Sequence, residues 1–485
     1  MKKITINPIT RLEGPGKIEI FLDKKGNVEN AFLQIPEFRG FEKFCEGRPA
    51  EEMPRITPRI CGVCPTAHHI ASARTLDDLY KVEPTLPGKL VRELLYHLFM
   101  FEDHTLHFYY LGGPDFIVGP TAPAAQRNIL GVIEKVGMEV AGKVISIRKE
   151  IRKIMEMIGG KVIHPVPGLP GGVSKHIPEE ERENIKKVAK EAVEFAKFTI
   201  QAFNDIVLKN KEYVGLITGD IFCHNTYYIG LVDDNDQMNY YEGKLRVVDG
   251  DGNETEKFEV KDYLDHISEH TEPFSYMKFP FLKKVGWKGF KEGKDSGVFR
   301  SAPLARLNVS NGLPTPQAHQ EYERMYETLG GKPSHHTLAF HWARVIEILY
   351  AAEKLVELSE HPELTSPDVR NIPTAEPSVG IGVVEAPRGT LIHHYETDKN
   401  GILEKVNLIV ATQFNAAGIS MSIEKAAQGL IKDGKFDEGI LNMVEMAFRA
   451  YDPCMACATH ALPGQIPLEV NLYDWKKEKV KTISR

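Results

Sequence analysis

Two cysteine pairs near the opposite ends of the chain carry the chemistry this sequence can support: Cys61-Gly62-Val63-Cys64 and Cys454-Met455-Ala456-Cys457. The C-x-x-C spacing lets two thiolates converge on one side of a turn. Thiolates are soft ligands that select zinc, copper, nickel or iron over magnesium or calcium. Two such pairs supply the four sulfurs of a complete metal site. A structural zinc ion is the plain reading of the spacing, but two features argue for something else. A zinc module keeps its pairs close together, because a small fold closes around the ion; here almost the whole chain lies between them. The pairs are also flanked by residue types prone to function, Arg59 and His68 at the first, Asp452 and His460 at the second.

For the sulfurs to meet, the intervening chain must fold back and dock its two ends. Its pattern is that of a largely helical protein. Leu90, Leu94, Leu95, Leu98 and Phe101 recur at helical spacing between Pro87 and Gly112. Further helices are expected over 123–158, 178–210, 316–329 and 335–360, and a last one over 437–450 leads into the second cysteine pair. The 178–210 helix opens on Pro178-Glu179-Glu180, a first-turn proline with acids that complement the helix dipole. Strands are expected at 17–22 and 28–33 around the Gly26 turn, within 213–300, and framing 385–393. The Gly- and Pro-rich run 159–173 reads as a rigid loop. His104 and His107 read as satisfied core residues. The expected class is α+β, mainly α: a long-helix bundle with small peripheral β sheets. Residues 1–460 would form one domain with a β-rich excursion at 213–300, and 461–485 a C-terminal extension.

Composition narrows the partners. A net charge of −7 points to no nucleic acid and no anionic membrane surface. A hydrophobic content of 42% with 26% charged residues describes a globular chain, and no apolar run is long enough for a membrane span. The start Met1-Lys2-Lys3-Ile4 has no apolar signal segment, so a cytoplasmic location is expected. Cys45 and Cys223 read as buried, inert thiols, in keeping with a reducing compartment.

Arg59-x-Cys61-Gly62-x-Cys64-x-x-x-His68 and Asp452-Pro453-Cys454-x-x-Cys457-x-x-His460 together resemble the two signatures of the NiFe hydrogenase large (alpha) subunit. The resemblance spans essentially the whole chain and implies that family's fold. It implies reversible heterolytic splitting of H2 at a Ni-Fe centre with CN and CO on the iron, with Cys61 and Cys454 as terminal nickel ligands and Cys64 and Cys457 bridging the two metals. Glu13, in Arg11-Leu12-Glu13-Gly14, matches the carboxylate that first receives the proton. Arg388, in Ala386-Pro387-Arg388-Gly389, matches the guanidinium over the open coordination position, with Asp103 and Asp452 as its partners. A guanidinium pKa above ~12 makes Cys454 the expected proton acceptor, with Glu13 next in line once burial raises its pKa. Glu42, in Arg39-Gly40-Phe41-Glu42, and His460 match ligands of Mg or another divalent ion. Pro387 and Thr412 would bind the cofactor, Thr412 as a donor to a cyanide, although Val410-Ala411-Thr412-Gln413 departs from the commoner Pro-Ser-Thr-Trp pattern. His68 is expected to donate a hydrogen bond to the Cys64 sulfur.

The chain has no further cysteine cluster, so on this reading electrons leave through an iron–sulfur small subunit. Ala458-Thr459-His460-Ala461-Leu462-Pro463-Gly464-Gln465 and the length resemble the archaeal soluble group. Within it they resemble the methanogen branch that does not reduce the deazaflavin coenzyme. That branch passes electrons, through an electron-transfer subunit, to heterodisulfide reductase by flavin-based bifurcation. Alternatives are a deazaflavin- or NAD(P)-reducing hydrogenase, a hydrogen sensor, and a zinc-stabilised scaffold. A respiratory complex I subunit of the same fold would lack the four cysteines. In most of the family a protease removes the residues beyond the last histidine; here Ala461 to Arg485 extend past it.

Overall fold

The helix Phe340–Glu360 is buried along nearly its whole length. A helix without a solvent face must be surrounded. In the computed structural model, which describes residues 2–37 and 39–460 and the backbone of 469–473 and 479–484, helices Leu86–Leu106 and Glu179–Phe203 pack directly against it. Ile129–Gly159 lies across both of these. The outer helices are one-sided. Glu179–Phe203 buries Ile185, Val188, Ala189, Ala192, Ala196, Thr199 and Phe203, a stripe at three- and four-residue spacing. The extension expected at 461–485 lies mostly outside the described residues. Within it Glu469–Tyr473 and Lys479–Ser484 pair antiparallel.

Some boundaries differ from the pattern. The helix expected from 123 begins at Ile129, because Asn128 Oδ1 accepts from the amides of Leu130 and Gly131 (2.9 and 3.2 Å) and so caps it there. The helix expected from 335 begins at Phe340, after a tight turn at Thr337–Ala339. Ala302–Val309 and Ala416–Leu430 are further helices. Both are buried and rich in small or apolar residues, so they show little periodicity. No helix among the described residues is long and apolar enough to cross a membrane.

Three sheets matter most, antiparallel but for one short strand. Lys2–Ile6, Lys17–Leu22 and Val28–Gln34 lie in sequence order. Tyr227–Val232, Lys244–Val248 and Glu254–Phe258 occupy the 213–300 region, with Phe299–Arg300 added parallel to the first. The third sheet, Val379–Ala386, Gly389–Thr397 and Leu403–Ile409, positions the site. Its register pairs Ala386 with Gly389, which leaves Pro387-Arg388 as a two-residue hairpin tip. Helix Pro65–Leu79, which comes directly after the first cysteine pair, lies on the Val379–Ala386 strand. A Cβ at Gly382 would stand 2.6 Å from the Thr75 amide nitrogen, so glycine permits this approach. That contact brings the hairpin tip over the first cysteine pair.

The chain ends meet through backbone pairing. The amides of Arg39 and Phe41 donate to the carbonyls of Thr459 and His460 (2.9 and 2.6 Å). Glu13 and Cys454 form a parallel bridge, in which the Met455 amide donates to the Glu13 carbonyl at 2.9 Å.

Candidate metal centre

Each cysteine pair is held by the same local device. Cys61 Sγ accepts from the amides of Val63 and Cys64 (3.3 and 3.1 Å), and Cys454 Sγ accepts from the Cys457 amide (3.4 Å). Pro65 starts the helix after the first pair, where its missing N–H costs nothing. Across the pairs, Cys61 Sγ lies 3.2 Å from Cys454 Sγ, and Cys64 Sγ 3.3 Å from Cys457 Sγ. All four ligand atoms lie within 4.8 Å of one another, and all four residues are buried.

Four thiolates this close cannot all stay ionised without positive charge among them. Burial opposes ionisation of Cys61, but the three neighbouring thiols donate to it and hold it well below the usual thiol range. Burial and the other sulfurs push Cys454 and Cys457 up. Contacts with Cys454 and Cys457 favour the Cys64 thiolate, yet ionised Cys61 and burial outweigh them and leave it at about 11. The set therefore fits a soft, multiply charged metal centre that would displace the remaining protons.

Over the sulfurs hangs Arg388. Its Nη1 donates to Asp103 Oδ2 at 3.1 Å, and its Nη2 pairs with Asp103 Oδ1 (3.1 Å) and Asp452 Oδ2 (2.9 Å). Asn415 Nδ2 donates to the Arg388 carbonyl (2.9 Å) and fixes the hairpin tip. Burial alone would lower the Arg388 pKa, but Asp103 and Asp452 drive it well above the guanidinium norm. Arg388 thus stays cationic. Burial pushes Asp103 up to about 7, with Arg388 opposing and Asp452 reinforcing the shift. Asp452 adopts φ 54°, a strained conformation for a non-glycine residue, immediately before Pro453 and Cys454.

A cavity of about 10 Å³, the scale of one small molecule, opens beside Cys64 and Cys457 and is lined by Pro387, Arg388, Leu391 and Thr412 among others. Thr412 Oγ1 accepts from the Cys454 amide at 3.0 Å, which leaves its own proton free to donate into that cavity. The space is about that of one water, and the donor would suit a small acceptor on the Cys64–Cys457 side.

Glu13 completes the centre from the N-terminal loop. Cys454 Sγ donates to Glu13 Oε2 at 2.9 Å, and the Ala456 amide donates to the same oxygen at 3.1 Å. Burial, then the charge of Cys61, raises the Glu13 pKa. The loop is anchored by Arg11, whose Nη2 donates to Asp115 Oδ1 (2.5 Å), and by Thr10, whose hydroxyl donates to Glu445 Oε2 (2.7 Å). Gly14 has φ 81°, and a Cβ there would stand 2.9 Å from the Ala456 nitrogen.

A group of harder donors lies behind Cys457. His460 Nδ1 lies 2.6 Å from the Cys457 carbonyl, and its Nε2 lies 2.6 Å from the Leu408 carbonyl and 3.6 Å from Glu42 Oε1. Oxygen and imidazole ligands in this arrangement fit a divalent ion of the magnesium type. Burial opposes ionisation of Glu42, but His460 and Lys278 outweigh it and lower its pKa. Lys278 Nζ stands 3.9 Å from Glu42 Oε2 and 3.4 Å from Glu269 Oε2.

Two expectations are corrected. His68 reaches the other sulfur: its Nε2 lies 3.7 Å from Cys457 Sγ, because its ring faces the second cysteine pair, which long-range docking of the chain ends places beside it. Cys223 is only half-buried, whereas Cys45 is fully buried and its thiol is pushed up to about 12. His104 and His107 are buried core residues as expected, but only half satisfied: the Nε2 atoms bond Glu347 (2.8 Å) and the Arg449 carbonyl (3.0 Å), and neither Nδ1 has a hydrogen-bond partner. Sequence reasoning missed Asn415, Leu408 and Lys278, which carry no motif of their own.

Comparison with known proteins agrees with this geometry. The family model described as nickel-dependent hydrogenase matches residues 39–129 and 142–460. The chain is 50% identical to an iron-sulfur subunit of the F420-non-reducing hydrogenase of Archaeoglobus profundus, over 100% of this chain and 99% of that one. It is 38% identical to the beta subunit of the NAD-reducing hydrogenase HoxS of Cupriavidus necator, over 98% and 97%. A crystal structure of an NAD+-reducing [NiFe]-hydrogenase in the H2-reduced state superposes with a TM-score of 0.88 at 34% identity, covering 95% of this chain and 100% of that one. With four sulfurs gathered from both ends of the chain beneath a buried arginine, this protein belongs to the nickel-dependent hydrogenase family, as its large subunit.

Proposed function

We propose that Cys454 accepts the proton released when H2 is split at the four-sulfur centre, and that Glu13 carries it outward. The observation that carries this reading is the direct 2.9 Å contact from Cys454 Sγ to Glu13 Oε2. When bound, the nickel–iron pair with its cyanide and carbon monoxide ligands supplies the Lewis acidity that polarises H2 and takes up its electrons. Arg388 orients charge over the sulfurs but is too basic to be the proton acceptor, and Asp103 and Asp452 fix its fork. Glu13 suits the next step: its raised pKa lets it hold a proton, and it is only half-buried, so solvent is within reach. Glu42, the Leu408 carbonyl and His460 would hold the divalent ion that locks the C-terminal motif in place.

Electrons would leave where the sulfurs come nearest the surface. Gly62 and Arg59 are exposed beside Cys61, and the half-buried His164 adjoins them. An iron–sulfur small subunit docked there would receive them in the cytoplasm. The A. profundus relative is named as F420-non-reducing, which supports an acceptor other than that coenzyme. Heterodisulfide reductase, reached through an electron-transfer subunit, is the acceptor we favour. An NAD(P)-linked complex is the second reading, supported by the likeness to the NAD+-reducing enzyme. H2-dependent reduction of heterodisulfide, NAD+ and F420 by the purified complex separates the two. Reduction of heterodisulfide alone is expected, and reduction of F420 would overturn the assignment.

A further inference from the structure

Behind Cys457 a file of buried hydrogen-bonding groups runs into the interior. His68 Nε2 faces Cys457 Sγ at 3.7 Å, and His68 Nδ1 lies 3.2 Å from His393 Nε2. His393 Nδ1 lies 2.7 Å from the Tyr395 hydroxyl, which donates to Ser72 Oγ at 3.0 Å. All five residues are buried. Two elements supply the file. His68 and Ser72 sit one turn apart on helix Pro65–Leu79, and His393 and Tyr395 share one face of strand Gly389–Thr397.

A neutral imidazole donates from one nitrogen and accepts at the other. Two adjacent buried rings cannot both be charged without a counter-ion. The direction of the first bond therefore fixes all the others. With a proton on Cys457 the file runs outward: the thiol donates to His68, His68 to His393, His393 to Tyr395, and Tyr395 to Ser72. A thiolate metal ligand has no proton to give, so the file must then run inward, with His68 Nε2–H donating to the sulfur. Tyr395 makes this reversal possible, because its hydroxyl changes from acceptor to donor toward His393 by rotating its O–H. The two rings change tautomer and keep their charge.

We propose that His393 and Tyr395 are positioning residues for the metal centre, selecting the His68 tautomer that presents an N–H to Cys457 once that sulfur is a ligand. The proposal rests on the bimetallic reading above. Its test is infrared spectroscopy of the cyanide and carbon monoxide bands in the loaded complex, with melting temperature and metal content measured alongside. Tyr395→Phe and His393→Leu are expected to shift the bands to lower wavenumber, because a sulfur stripped of its donor gives more charge to iron. Metal loss from either variant at an unchanged melting temperature also supports the proposal. Ser72→Ala should leave the bands in place, since the inward file needs only the Tyr395 hydroxyl. His394→Ala, one residue along the strand and bonded instead to Tyr263 (2.9 Å), is the control and should not shift them. Wild-type bands in Tyr395→Phe would overturn the positioning role. A shift in Ser72→Ala as large as in Tyr395→Phe would overturn the inward direction. Absence of these bands from the wild-type complex would instead remove the bimetallic reading.

Discussion

Replacing Glu13 by glutamine removes a base and almost nothing else. The side chains have the same shape, and a glutamine oxygen can still accept from the Ala456 amide, now 3.1 Å from Glu13 Oε2. What is lost is the base: an amide oxygen in the same place, 2.9 Å from Cys454 Sγ, cannot take its proton. Direct contact means the transfer has no water relay to fall back on. A positioned general base contributes about 10²–10⁴-fold to rate, which is roughly 3–5 kcal/mol of barrier. The cost to folding is much smaller. The lost charge-assisted bond is worth about 1.5–3 kcal/mol, and relief from burying a carboxylate offsets much of it. Glu13→Gln should therefore keep its nickel, iron and melting temperature while hydrogen–deuterium exchange between D2 and water falls by about 10²–10⁴-fold. Mass spectrometry of the gas phase measures this directly. Exchange at the wild-type rate in a fully loaded variant would refute the proton route.

Asp115 lies between Arg449 (2.9 Å) and Arg11 (2.5 Å); burial alone would raise its pKa, but the two cations bring it down to about 2 from 3.8. A depressed acid stabilises the fold above its unfolded pKa and loses that stability as pH falls through the folded one. Asp115 should thus contribute a drop of about 2 kcal/mol to the unfolding free energy between pH 4 and pH 2, beside that of other depressed acids such as Glu347. In Asp115→Asn that drop should vanish, with stability at neutral pH lower by about 3–5 kcal/mol in denaturant titrations. Gly14→Ala should cost about 1–2 kcal/mol for its positive φ and, by pushing Glu13 away from Cys454, slow exchange without removing metal. Arg388→Lys loses the two-pronged grip on Asp103 and Asp452, and turnover should fall by about 10²–10³-fold at unchanged metal content; unchanged turnover would count against an orienting role. Cys64→Ser and Cys457→Ser should purify without the metal pair, as elemental analysis would report.

The centre was legible where chemistry is written into short spacing. Cys61, Cys64, Cys454 and Cys457 announce themselves, and Glu13, Glu42 and Arg388 stand in recognisable local settings. The long amphipathic helices were legible for the same reason, since their burial repeats with the helical turn. The rest depends on long-range pairing. Which sulfur His68 touches is decided by how helix Pro65–Leu79 sits on strand Val379–Ala386, and Gly382 controls that through absent atoms. Leu408 contributes a backbone carbonyl, which no side-chain motif reveals. Helix Ala416–Leu430 is buried on most of its faces, so its period is faint. The start at Ile129 turned on a single capping residue, Asn128, rather than on the apolar pattern.

The central claim is that sulfurs from both chain ends grip two different metals. Elemental analysis of the purified complex, combined with infrared spectroscopy, tests it most directly. One nickel and one iron at this centre, with cyanide and carbon monoxide bands, is the predicted result. A single zinc and a silent infrared window would contradict it.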